Sequence, residues 1–219
     1  MNMRHDDTPR DRLIRDLVDD LAPVARRTRI ALPTLAWCVL GGIFVASCYA
    51  LIQPFRPGVL AEVVGAPRFA AEIALGLAAA GALTAAALAL AVPATGAPRR
   101  RLAPALALAG GWLVLQLWAL LDPALEPSMI GKRGGCVWET LVVGLPPLAA
   151  GLVMARRRWP LHGTSIGVAC GLGAGLLAAV LMQLACMYVP AHNLLFHVLP
   201  GLALGGLGAL AGWLFLRSR

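Results

Sequence analysis

The chain has 219 residues, of which 59% are hydrophobic and only 14% charged, whereas a soluble domain carries roughly a quarter charged residues. That balance excludes an ordinary soluble domain and defines an integral membrane protein. The net charge of +8 needs no nucleic-acid partner to explain it, because the basic residues fall where membrane topology collects them.

The first 29 residues mix acids and bases throughout, unlike a cleavable secretory signal with its basic start and apolar stretch. The first span is therefore expected to be an uncleaved anchor. Within this segment Thr8 is placed as an N-cap, Pro9 as the first helical residue and Asp11 as the carboxylate that caps the first turn. Leu13, Ile14, Leu17, Val18 and Leu21 then recur with helical period, Arg12, Arg15, Asp16, Asp19 and Asp20 cover the other face, and Pro23 ends the helix. One reading lays this helix on the inner membrane surface. The other presents its stripe to the groove of a cytoplasmic protein. The acids Asp6, Asp7, Asp11, Asp16, Asp19 and Asp20 weaken attraction to anionic lipid and favour the second, with a basic partner such as a nucleic-acid-binding protein.

Runs of about 20 apolar residues, the length of a membrane crossing, occur at 30–52, 69–92, 103–121, 136–155, 164–189 and 194–216. The expected fold is an all-α, six-helix transmembrane bundle over residues 30–219, preceded by a short cytoplasmic segment, 1–29, with its amphipathic helix. All but four of the 19 basic residues lie in the N-terminal tail, the second and fourth connections and the C-terminal tail. The exceptions are Arg56, Arg68, Lys132 and Arg133. Cytoplasmic loops retain positive charge, so both termini are expected in the cytoplasm.

In span four, Pro146 and Pro147 remove two backbone donors and are expected to kink the helix. Span five carries Gly163, Gly167, Gly171 and Gly175, and span six Gly201, Gly205, Gly208 and Gly212. Small residues at such spacing let membrane helices approach closely, so the two spans are expected to form a tight hairpin. Glu72 and Glu139 lie within about a turn of the outer surface, a depth that permits snorkelling to water. No ionisable residue continues into the inner half of any span, which disfavours a coupled pump or transporter.

Five cysteines are present. Cys136 and Cys186 each lie about 20 residues from the connection between spans four and five, roughly 30 Å of helix, so both thiols are expected at one outer rim. Glu139, one turn after Cys136, and His192 and His197 in and beyond the fifth connection are possible supporting groups. In an oxidising compartment two facing thiols form a disulfide if their Cα atoms approach within about 7 Å, while thiolate and imidazole together bind soft or borderline metals. A redox or metal-responsive pair, a structural disulfide and two unrelated thiols all remain open, and no tight ligand spacing selects a metal. Cys38 and Cys170 read as small apolar side chains, and Cys48 is ambiguous.

Four features together resemble the NrsF-type membrane anti-sigma factors. They are the opening LIRDLVDDLAPVARR (13–27), six short spans with almost no loops, GGCVWETL (134–141), and LACMYVP with HNLLFHVLPG (184–201). The resemblance implies a tether at the bacterial inner membrane that sequesters an extracytoplasmic-function sigma factor through its cytoplasmic N-terminal segment. It also implies that two cysteines near the periplasmic side, here Cys136 and Cys186, respond to oxidative or heavy-metal stress and are needed for release. The sigma factor and the bilayer are then the partners, without direct nucleic-acid binding, cofactor or catalysis. Cys38, Cys48 and Cys170 are outside that pattern. A membrane thiol oxidoreductase lacks the expected CxxC, and a small metal or solute permease lacks polar residues through the inner halves of the spans.

Overall fold

The computed structural model describes residues 8–19, 29–92 and 98–216, for Arg99 the backbone alone. Its elements are helices α1 (Pro9–Asp19), α2 (Ala31–Ile52), α3 (Val59–Gly65), α4 (Pro67–Leu90), α5 (Pro98–Trp118), α6 (Cys136–Arg156), α7 (Gly163–Ala185), α8 (Pro190–Asn193), a π turn (Leu194–Val198) and α9 (Leu199–Phe215). The described residues contain no β-strand, only one isolated bridge between Ser128 and Tyr188. Among the described residues six stretches are long and apolar enough to cross a membrane: α2, α4, Arg100–Trp118 within α5, α6, α7 and the combined Pro190–Phe215. The chain is a multi-pass, all-helical membrane protein.

α1 starts as its sequence dictates. The Asp11 backbone N–H donates to Thr8 Oγ1 at 3.3 Å, and the Thr8 N–H donates back to Asp11 Oδ2 at 3.2 Å, a reciprocal cap. None of its residues is buried. Leu21 and the Pro23 stop lie outside the described residues.

α7 is the centre of the bundle, buried along most of its length. It pairs antiparallel with α9 through the two glycine ridges: Gly163 faces Gly212, Gly167 faces Gly208, Gly171 faces Gly205, and Gly175 faces Gly201. A Cβ added at Gly167 or Gly175 would collide with the facing backbone carbonyl, so the expected hairpin forms because both backbones come into contact there. On the other side of α7, Gly173 lies against Thr84 of α4, and Tyr49 of α2 donates its hydroxyl to the Ala178 carbonyl at 3.1 Å. Pro146 and Pro147 stay within a continuous α6, where the Pro147 carbonyl accepts the Trp37 indole N–H at 2.9 Å.

The third span runs from Pro98 to Trp118 instead of 103–121, and three further departures from the sequence reading lie at the end of the bundle that holds Cys136 and Cys186. α7 stops at Ala185, and Cys186 is extended (φ −101°, ψ 173°) rather than helical. The cause is the neighbouring segment: Tyr188 pairs with Ser128, whose N–H donates to the Tyr188 carbonyl at 2.8 Å, and the Tyr188 hydroxyl accepts the Ala124 N–H at 2.9 Å. The last span begins at Pro190 instead of 194 and passes through the π turn. A short extra helix, α3, follows Gly58, whose φ of +80° suits glycine. Glu72 also departs from expectation, for its side chain is fully buried within the protein instead of reaching water.

Candidate functional site

Cys136 is the first residue of α6 and Cys186 follows the last residue of α7, so two helix ends deliver the thiols to one place. Their sulfurs are 3.2 Å apart, and both side chains are buried free thiols. At that separation the two sulfurs are in hydrogen-bond contact, and Cys136 also donates toward the Arg133 carbonyl at 3.5 Å. The hydrogen bond from the Cys136 thiol holds Cys186 below the ordinary thiol range, against the opposing effect of burial.

Both expected histidines join the thiols. His192 Nε2 is 3.6 Å from Cys186 Sγ, and one donor atom from each of Cys136, Cys186, His192 and His197 lies within 4.8 Å of the other three. The π turn makes this possible. On a regular α-helix residues five apart point about 140° away from each other at 100° per residue. Here the Leu199 N–H bonds to the Leu194 carbonyl, a five-residue closure, and the wider turn sets the two imidazoles edge to face with centroids 5.1 Å apart. Pro200 follows at once and has no N–H to offer the Phe196 carbonyl, which removes the competing α-helical bond.

Glu139 takes a different part. Its Oε2 accepts from Arg133 Nη1 at 2.7 Å, and it contributes no donor to the thiol and imidazole group. Arg133 is the residue that sequence reasoning missed. It is buried, donating from Nε to the Ala185 carbonyl at 3.3 Å and from Nη2 to the Tyr49 carbonyl at 3.0 Å and to the Gln53 carbonyl. One guanidinium therefore binds the C-terminal carbonyls of α2 and α7, where positive charge is favoured. Arg56, equally buried, donates to the Cys186 carbonyl at 3.2 Å and pairs with Glu62. Gly131 keeps this packing possible: its φ is +81°, and a Cβ there would lie 3.1 Å from Arg56 Cβ.

A buried amide chain leads away from the thiols. His197 Nδ1 is 2.7 Å from Asn193 Oδ1, Asn193 Nδ2 is 2.7 Å from Gln116 Oε1, and Gln116 Nε2 is 3.5 Å from Gln183 Oε1. Gln183 in turn interacts with the Glu72 carboxylate, whose oxygens have no partner within hydrogen-bond distance, and Arg68 Nε stands 3.6 Å from that carboxylate. The signal for this chain was compositional: Gln116 and Gln183 are the only glutamines inside the apolar spans.

The other cysteines stay apart from the pair. Cys170 packs against Gly151 and Cys38 against Gly81, as small apolar groups. At α1, Leu13, Ile14, Leu17 and Val18 are between 48% and 60% exposed, so the described part of the stripe is uncovered.

Fold and site define a small multi-pass helical membrane protein with a buried thiol and imidazole cluster at one end of the bundle. The family model described as NrsF, negative regulator of sigma F, matches residues 17–217, and the chain belongs to that family. It is accordingly a negative regulator of a sigma factor. No curated protein and no solved structure gives a match.

Proposed function

We propose that this chain is a non-enzymatic anti-sigma factor of the bacterial inner membrane, both termini cytoplasmic, that holds an extracytoplasmic-function sigma factor through the Leu13, Ile14, Leu17, Val18 and Leu21 stripe. Oxidative or heavy-metal stress at Cys136 and Cys186 then causes release. The observation that carries this reading is the 3.2 Å approach of the two sulfurs at the ends of α6 and α7. Either stress would draw on that approach. An oxidant takes two electrons, a disulfide forms and two protons leave; a thiophilic cation instead displaces the protons and is held by both sulfurs.

The charge asymmetry supports the orientation, since Arg156 ends α6 and Arg157 and Arg158 follow it, at the end opposite Cys136. The uncovered stripe of α1 supports a helix-in-groove contact, because an apolar face at this spacing is what such grooves receive. Signal would pass along α6 and α7, which begin and end at the thiols and run the length of the bundle.

The test is reporter induction by an oxidant and by cadmium in cells carrying Cys136→Ser, Cys186→Ser or both, with sigma factor co-purified from the membrane fraction. The reading requires repression and co-purification to persist in all three while induction is lost. Normal induction in the double variant overturns it.

A further inference from the structure

His197 is fully buried and its Nδ1 is engaged by Asn193, while its Nε2 has no hydrogen-bond partner; one of its ring nitrogens belongs to a group of four donor atoms within 4.8 Å of one another. A buried, unpartnered ring nitrogen costs free energy unless something completes it. We propose that Cys136, Cys186, His192 and His197 form a four-donor site for a thiophilic divalent cation of the zinc and cadmium class, and that the amide chain from Glu72 presents His197 to it. The proposal deepens the sensor reading of the same thiols and rests on it for the site's role, while cation binding itself is measured without any sigma factor.

The donor set and its spacing fit such an ion. Two thiolates and two imidazoles are a tetrahedral d10 set, with metal distances of about 2.3 Å to sulfur and 2.0–2.1 Å to nitrogen, which separate neighbouring donors by about 3.3–3.8 Å. The sulfurs stand at 3.2 Å and Cys186 Sγ to His192 Nε2 at 3.6 Å, with all four donor atoms within 4.8 Å. Closing on an ion therefore needs movements of about 1 Å or less. On binding, the thiol protons leave to water and both sulfurs ligate as thiolates.

The amide chain has one polarity throughout. The Gln183 carbonyl faces Gln116, which leaves the Gln183 NH2 for Glu72 on its other side. Each amide then repeats the orientation: the Gln116 NH2 donates to Gln183, the Asn193 NH2 donates to Gln116, and Asn193 Oδ1 is left to accept from His197. His197 must therefore carry its proton on Nδ1 and keep a free lone pair on Nε2. A ligating histidine is usually held in this way by an acceptor behind it, and losing that acceptor typically weakens metal binding 10- to 100-fold. Glu72, Gln183, Gln116 and Asn193 are positioning residues.

The experiment is cadmium and cobalt(II) titration of the reduced full-length protein in detergent, with chelator competition for affinity and the cobalt spectrum for ligand type. Expected are one ion per chain, thiolate-to-cobalt charge transfer with tetrahedral d–d bands, and loss of binding in Cys136→Ser and Cys186→Ser. His197→Gln and the half-buried, more forgiving His192→Ala should each weaken binding at least tenfold. Glu72→Gln, with both thiols and both imidazoles intact, should lower affinity roughly 10-fold or more at unchanged stoichiometry. No stoichiometric binding by the wild type, or affinity unchanged by His192→Ala, overturns the site; unchanged affinity in Glu72→Gln overturns the positioning role. If the wild type binds no ion while induction still needs both cysteines, the site fails and the sensor reading stands.

Discussion

His192 and His197 are five residues apart and yet meet edge to face, ring centroids 5.1 Å from each other, because the chain between them closes as a π turn. Turns of this kind are rare and gather at functional sites. Here the turn converts two imidazoles that an α-helix would send to different faces into neighbours on the thiol pair.

Replacing Pro200 by alanine restores the missing donor, and the segment should relax toward a regular α-helix. His192 would then turn away from Cys186. Cadmium affinity should fall by about tenfold, in line with losing one ligand's orientation, while the fold persists. Histidine NMR chemical shifts with and without cadmium, together with chelator competition, check this.

Arg133 joins the ends of α2 and α7 and pairs with Glu139 at 2.7 Å. Arg133→Ala leaves a largely buried carboxylate unpaired, and breaking such a pair costs about 3–5 kcal/mol. Thermal unfolding in detergent should show a marked drop in Tm. Arg133→Lys should recover only part of it, because an ammonium cannot reproduce the planar fork that reaches several carbonyls at once.

The glycine ridge makes a sharper structural prediction. At Gly167 a Cβ meets the Gly208 carbonyl, whereas at Gly42 nothing lies within 4 Å. Gly167→Leu should destabilise by more than the about 1–3 kcal/mol usual for overpacking, since backbone and not side chain is in the way. Gly42→Leu should leave Tm nearly unchanged, and comparing the two in one detergent separates packing from any general effect of added bulk.

Much of this was legible in the sequence, for identifiable reasons. The six spans follow from apolar length, the α7 and α9 hairpin from glycines at a four-residue spacing, and the thiol pair from counting helix rise on both sides of one short connection. His192 and His197 were visible as neighbours in sequence, but their convergence was not, since it depends on a π turn that periodicity does not announce. Arg133 and Arg56 read as loop charges. They are buried because each meets helix-terminal carbonyls contributed by distant segments, Tyr49 and Ala185 for one and Cys186 for the other. Glu72 looked free to reach water, but the packing of α4 within the bundle encloses it.

At the cytoplasmic segment, Leu17→Asp places a charge in the middle of the exposed stripe without touching the Thr8 and Asp11 cap. Burying an unpaired carboxylate in an apolar groove is costly. Sigma-factor co-purification should fall at least tenfold and the target promoter should be active without stress. Asp16→Asn, on the polar face, should leave apolar docking in place.

The most direct test follows the two sulfurs in the intact system. Cells carrying Cys136→Ser and Cys186→Ser together are exposed to cadmium or to a thiol oxidant, and the target promoter is read alongside membrane-bound sigma factor. The account predicts full repression, normal sigma-factor retention and no induction by either stress. Induction equal to that of the wild type would contradict it.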